Sequence, residues 1–103
     1  MNDEHALAAF AALAQPTRLA AFRLLVRHFP EGLAAGELAL LLDVTPATLS
    51  FHLGNLERSR LLTSTRQGRK IIYRIEVKGT RGLLDFLMQD CCMGRPDLCG
   101  LAG

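Results

Sequence analysis

The sequence predicts a mainly α-helical domain with a β-hairpin wing, a winged helix-turn-helix, on three observations. Four successive segments carry apolar residues at helical spacing. Residues 62–77, "LTSTRQGRKIIYRIEV", then change to a pattern rich in Thr, Ile, Tyr and Val around a glycine turn. A last apolar helix closes the order, and a length of 103 residues confines all of it to one domain.

Each element has its own local reason. Residues 4–14 are alanine-rich, with Leu7, Phe10 and Leu13 forming a narrow apolar stripe on a helix. Pro16 suits the first turn of a second helix, along which Leu19, Phe22, Leu25, Val26 and Phe29 recur until Pro30 and Gly32 stop it. A short third helix lies in "AAGELALLLD", with Leu38, Leu41 and Leu42 turned inward, and Asp43 and Val44 make the turn. Thr45 is a natural N-cap with Pro46 at the first helical position, opening a fourth helix over residues 46–59. Leu49, Leu53 and Leu56 define its buried face by their i, i+4, i+7 spacing. Ala47, Phe51, Gly54 and Arg58 then point away from the core, flanked by Thr48 and Asn55. An outward Phe51 either meets a thymine methyl in a DNA groove or packs on a neighbouring loop. The hairpin tip falls at Gln67 and Gly68, and the last helix begins near Gly79 and presents Leu83, Leu84, Phe86, Leu87 and Met88. So broad an apolar surface on so short a chain points to burial against a second subunit as well as its own core.

Composition narrows the function classes. Half of the residues are apolar and 21% are charged, which is globular rather than disordered or fibrous. The start, "MNDEHALAAF", is acidic and contains no long apolar run, so the expectation is a cytoplasmic protein with no signal peptide and no membrane span. A net charge of +2 conceals a strong asymmetry. Residues 51–81 hold eight Lys and Arg against Glu57 and Glu76, a net +6, while the segments on either side are each net −2. That block is either a surface for nucleic-acid phosphates or a solvated basic face.

All three cysteines lie in "DCCMGRPDLCG", residues 90–100. Thiols stay reduced in the cytoplasm, and an odd number of them reads as ligands or reactive groups rather than a disulfide framework. A bond between Cys91 and Cys92 would be strained, because adjacent Cα atoms are about 3.8 Å apart and disulfides prefer about 4.4–6.8 Å. On an intact helix the two side chains would diverge by about 100°. Gly94 and Pro96 favour a bend that brings them together and lets Cys99 fold back.

The stretches "ALAQPTRLAAFRLL", "GELALLLDVTPATLSFHLGNLERSRLL" and "RQGRKIIYRI" cover most of residues 6–76, in this order. They resemble the ArsR/SmtB family of bacterial metal- and metalloid-responsive repressors. The resemblance implies a homodimer joined through the first and last helices, bound to a pseudo-palindromic double-stranded DNA operator and released when an inducer binds. It places DNA contacts on Thr45, Ala47, Thr48, Ser50, Phe51 and His52 of the fourth helix and on Arg66, Gln67, Arg69 and Lys70 of the wing. Two positions depart from the family pattern: Pro46 stands where Gln is frequent, and Phe51 where a second His is frequent. The family's Cys-x-Cys on the third helix and its histidines on the last helix are both missing from "GELALLLD" and "GTRGLLDFLMQD". The tail remains, and it resembles that of members sensing trivalent arsenic through C-terminal cysteines.

Chemistry agrees with that resemblance. Soft thiolates favour thiophilic ions, and As(III) or Sb(III) takes three sulfurs in a pyramid, which Cys91, Cys92 and Cys99 can supply. Zinc would want a fourth ligand from His5, His28, His52 or an acid such as Asp97. The expectation is therefore a repressor rather than an enzyme, with residues 1–90 as DNA-binding and dimerisation domain and residues 91–103 as sensing tail. Two other sensors on the same fold stay open: a thiol redox switch through Cys99 and one of the pair, and a zinc or cadmium sensor. A small thiol redox enzyme would want a Cys-x-x-Cys or a basic anion-binding loop, and the sequence has neither.

Overall fold

A computed structural model describes residues 1–91, 93 and 95–99. Helices α1 (Asp3–Leu13), α2 (Pro16–Arg27), α3 (Ala35–Leu42) and α4 (Pro46–Arg58) precede the hairpin β2 (Leu62–Gln67) and β3 (Lys70–Ile75). Helix α5 (Val77–Asp85) runs on as a π-helical segment, Phe86–Cys91, and a four-residue α6 (Pro96–Cys99) follows. Strand β1 (Leu33–Ala34) joins the hairpin to give a three-stranded antiparallel sheet of order β1-β3-β2. No helix among the described residues is long and apolar enough to cross a membrane.

The core lies where the helices meet the base of the hairpin. Leu25, Leu38, Leu49, Leu53, Leu56, Leu61 and Leu62 are its largest fully buried side chains. Leu49, Leu53 and Leu56 are inward as their spacing requires. Tyr73 and Ile75 of β3 close the core from the sheet side, and Leu83 of α5 from the far side.

The end of α4 is held by the chain that follows it. Leu61 N–H donates to the Leu56 carbonyl and Arg60 N–H to that of Glu57, both at 3.1 Å, the paired bonds of a Schellman motif. This requires a left-handed residue at position 60, and Arg60 takes φ +65° where glycine is the usual occupant. Gly79 of α5 then sits directly on the Arg60 backbone, where an added Cβ would collide with the Arg60 carbonyl oxygen. Glu76 N–H donates to the Leu61 carbonyl at 3.0 Å. The start of α5 is thereby seated on the carboxyl end of α4.

Several expectations need correction. In α1 the face turned to the core is Ala6, Ala9 and Ala12, while Leu7 is 67% exposed and Phe10 also lies outward. Three alanines let the helix backbone approach the core closely, which the larger stripe would prevent. Leu41 is exposed rather than inward, because the tightly packed positions of α3 are Leu38 and Ala39. The hairpin turn is Gly68–Arg69, one residue later than expected, since Gln67 pairs with Lys70. Gly68 has φ +63°, at the first turn position, where type II′ hairpins place glycine. Helix α5 begins two residues before Gly79, at Val77.

Candidate nucleic-acid interface

The turn between α3 and α4 sets the attitude of the fourth helix. Asp43 adopts the left-handed conformation at φ +54°, which a short polar side chain tolerates, and Val44 N–H donates to the Ala39 carbonyl at 3.1 Å. The Thr45 hydroxyl oxygen accepts from Thr48 N–H at 3.2 Å and donates to the Thr48 hydroxyl at 2.9 Å. These bonds satisfy a free amide of the first turn and fix both hydroxyls at the helix start.

That start faces solvent. Thr45, Ala47, Thr48, Ser50 and Phe51 are all exposed on one end and side of α4, with Phe51 64% accessible. They present two hydroxyl-bearing threonines, a serine and an aromatic ring, suited to acceptors, donors and methyl groups on base edges. His52 is placed differently from the other α4 candidates. Its ring is half-buried, its Nδ1 lies 3.0 Å from Arg18 of α2, and its edge meets Phe51 at a centroid distance of 5.5 Å. Burial first, and the Arg18 charge second, hold its pKa below the ordinary imidazole value. The ring is thus neutral at pH 7, with Nδ1 accepting from the guanidinium and the proton on Nε2.

The wing is aligned to this helix by a tie across the domain. Ser64 Oγ of β2 donates to Glu57 Oε2 of α4 at 2.7 Å. Burial, and then the nearby Glu57 carboxylate, push the Tyr73 hydroxyl up from its ordinary value, so this core phenol stays protonated. At the tip, Arg66, Gln67, Arg69 and Lys70 are all exposed, with Arg66 Nε donating to the Gly68 carbonyl at 3.3 Å. Among the described residues the only ion pair joins Arg95 and Asp97. The cations of the wing and of the α4 end therefore have no acidic partner within that set and carry their full charge outward.

A helix-turn-helix domain model matches residues 13–65, just over half of the chain. No curated protein sequence matches. An ArsR-like transcriptional regulator from Rhodococcus sp. RHA1 has a similar structure at 26% identity, with 95% of this chain and 90% of that one covered and a TM-score of 0.74. The chain belongs to the ArsR/SmtB family of winged helix-turn-helix regulators. Other ArsR-type likenesses include the transcriptional repressor BigR from Xylella fastidiosa, at 28% identity, 80% and 82% coverage and a TM-score of 0.62. A further one is named "Possible transcriptional regulator for arsenical resistance", at 27% identity, 75% and 77% coverage and a TM-score of 0.66.

Within this ArsR/SmtB chain, α4 is the second helix of the helix-turn-helix and the β2–β3 hairpin is its wing. Cys92 lies outside the described residues, and for Cys91 and Cys99 the description covers the backbone alone. Cys91 ends the π-helical segment and Cys99 ends α6. Reading the sequence missed Arg18, whose hydrogen bonds tie together three helices, and the bond from Ser64 to Glu57. The signal for Arg18 was a cation in the first turn of a helix, where the macrodipole disfavours positive charge and a specific partner is called for.

Proposed function

We propose that this ArsR-family regulator is a cytoplasmic, non-enzymatic repressor that binds a pseudo-palindromic operator as a homodimer and lets go when As(III) or Sb(III) is captured by Cys91, Cys92 and Cys99. Residues 1–90 form the DNA-binding and dimerisation domain and residues 91–103 the sensing tail. Thr45, Ala47, Thr48, Ser50 and Phe51 read base edges, His52 lies among them, and Arg66, Gln67, Arg69 and Lys70 lie along the flanking phosphates.

The observation that carries the reading is positional. Every cysteine of the chain follows directly on the one helix that is seated, through Gly79, on the end of α4. A change at the thiols is thus one rigid contact away from the recognition helix. The donor set suits the ion: three soft thiolates complete a three-coordinate pyramidal complex, and no fourth ligand is wanted. The helix already departs from α geometry over Phe86–Cys91, and Met93 has a left-handed φ of 55°. Both features favour the chain reversal that three closely spaced sulfurs require. The structure named for arsenical resistance adds support of the same kind.

A dimer is supported by the apolar side chains that the single chain leaves uncovered on α1 and on α5 with its π-helical extension. Leu7 and Phe10 of α1 and Leu84 of α5 are exposed, as is Leu87 just beyond it. Met1 lies against Gly82, so the two helices neighbour each other. A second copy applying the same surface would bury both, as an isologous interface does. The two α4 helices must then be about 34 Å apart to enter successive major grooves. Ion capture bends the end of α5, shifts its seat on α4 and spoils that spacing.

The test is a mobility shift on the DNA upstream of the encoding gene, with arsenite, antimonite, zinc, cadmium and peroxide added separately. Release by arsenite or antimonite alone is expected, and Cys91→Ser, Cys92→Ser and Cys99→Ser should each bind DNA but ignore arsenite. Release by peroxide or by zinc would replace the metalloid reading with a redox or a metal one.

A further inference from the structure

Arg18 occupies the first turn of α2, where its own backbone N–H donates to Oε1 of the capping residue Gln15 at 2.8 Å. A cation there opposes the helix macrodipole, so its placement must be compensated elsewhere. Its side chain turns back instead. Nε donates to the Ala12 carbonyl in the last turn of α1 at 2.6 Å, and the neighbouring guanidinium nitrogen donates to His52 Nδ1 of α4 at 3.0 Å. The carboxyl end of α1 carries partial negative charge on carbonyls that the helix itself leaves unpaired, which favours this cation.

Arginine alone among the side chains can make both bonds at once. Its planar fork aims two donors along fixed directions, whereas a lysine ammonium on a flexible stem would serve one acceptor at the expense of the other. The receiving ring is neutral, partly enclosed and in edge contact with Phe51, the exposed aromatic of the recognition helix. One guanidinium thus holds α1, which carries the uncovered Leu7 and Phe10, against α4, which carries the groove-facing residues.

We propose that Arg18 is a positioning residue for operator binding, coupling the subunit-contact helix α1 to the recognition helix α4 through His52. This rests on the reading of α4 as the helix that enters DNA. It assigns His52 the receiving end of the coupling rather than a base contact of its own, and it gives the dimer interface a second route to α4, independent of the seat at Gly79. A shift of α1 when the subunits rearrange would pull the ring, and with it the start of α4.

The experiment combines substitutions with two readouts, operator affinity by fluorescence anisotropy and the ring nitrogens of His52 by NMR. Arg18→Met keeps the length of the stem and should weaken operator binding by about tenfold, the size of one charge-assisted hydrogen bond. Arg18→Lys should melt close to the parent chain and still bind less tightly, which covers the case of a poorly folded Met variant. His52→Asn retains an acceptor near the position of Nδ1 and should lose clearly less than His52→Ala, which should lose as much as Arg18→Met. In the His52→Ala background, Arg18→Met should add less than about twofold, because coupled residues are not additive. In the parent the Nδ1 signal should be that of an unprotonated acceptor, and it should shift in Arg18→Met.

Two results would overturn the assignment. One is operator binding by Arg18→Met and Arg18→Lys equal to that of the parent. The other is additive losses from Arg18→Met and His52→Ala, with His52→Asn as weak as His52→Ala, which would make His52 a DNA contact in its own right. If the parent chain binds no upstream duplex, the DNA reading itself fails and takes this coupling with it. Binding by the parent with indifference at Arg18 removes the coupling alone.

Discussion

Two glycines in helices should respond to alanine with opposite signs, and the pair tests whether α5 is rigidly seated on α4. Gly36 lies in the first turn of α3 with nothing within 4 Å of where a Cβ would stand. Alanine there gains helix propensity without a clash, about 0.5 kcal/mol near a helix end against about 1 kcal/mol in an interior. Gly79 carries the same propensity gain, but its new Cβ would lie inside contact distance of the Arg60 carbonyl oxygen and carbon. Both are backbone atoms, so no side-chain rotation relieves the overlap. Restoring ordinary contact moves α5 by more than an ångström, and overpacking of this kind costs about 1–3 kcal/mol. The net expectation for Gly79→Ala is a loss of about 0.5–2.5 kcal/mol, and roughly 4–8 °C of melting temperature per kcal/mol for a domain of this size. Thermal unfolding followed by circular dichroism should show Gly36→Ala rising by a few degrees and Gly79→Ala falling by more. Operator affinity should fall with Gly79→Ala as well, at temperatures where the variant is folded. A Gly79→Ala chain as stable as Gly36→Ala would refute the tight seat and with it the route from tail to recognition helix.

Other outcomes follow from single side chains. Phe51→Ala removes an exposed ring, so stability should change by less than about 0.5 kcal/mol while operator binding weakens at least about fivefold, as anisotropy would record. Unaltered binding would return Phe51 to an incidental surface residue. Because the His52 pKa is lowered in the folded chain, the unfolded chain takes up that proton first as pH falls. The contribution of the neutral ring is whole above the ordinary imidazole value of about 6.5 and is lost as pH drops below it. Urea midpoints between pH 7.5 and 5 should therefore fall more steeply for the parent than for His52→Asn; parallel profiles would contradict this. Replacing Arg69 and Lys70 by alanine should weaken binding to all duplexes alike and flatten the plot of log affinity against log salt by about 2 for each protomer bound. An unchanged slope would remove the wing from the phosphates.

What the sequence disclosed was local. The i, i+4, i+7 leucines of α4, the Thr45 cap and the glycine-containing hairpin each announce themselves within a dozen residues, and the structure has all three, with the hairpin turn one residue later than expected. Strand β1 could not be read that way. It is two residues long, has no alternation to detect, and exists because Leu33 and Ala34 pair with Tyr73 and Ile72. The face of α1 was misread because spacing marks the large apolar residues, whereas close helix approach selects small ones, and Leu7 and Phe10 were left free for another surface. The candidate interface divides in the same manner. Exposure of Ala47, Thr48 and Phe51 follows from periodicity, but the bond between Arg18 and His52 spans 34 positions and depends on how three helices are packed. Side chains brought together by tertiary structure leave no spacing in the chain to find.

The central claim is that trivalent arsenic is held by sulfur alone, beyond the end of α5. X-ray absorption at the arsenic edge of the reduced, arsenite-loaded chain counts those bonds directly. Three As–S bonds are expected, falling to two in each of Cys91→Ser, Cys92→Ser and Cys99→Ser. Three or more oxygen neighbours in the parent, or three sulfurs persisting in any single-serine chain, would contradict the account.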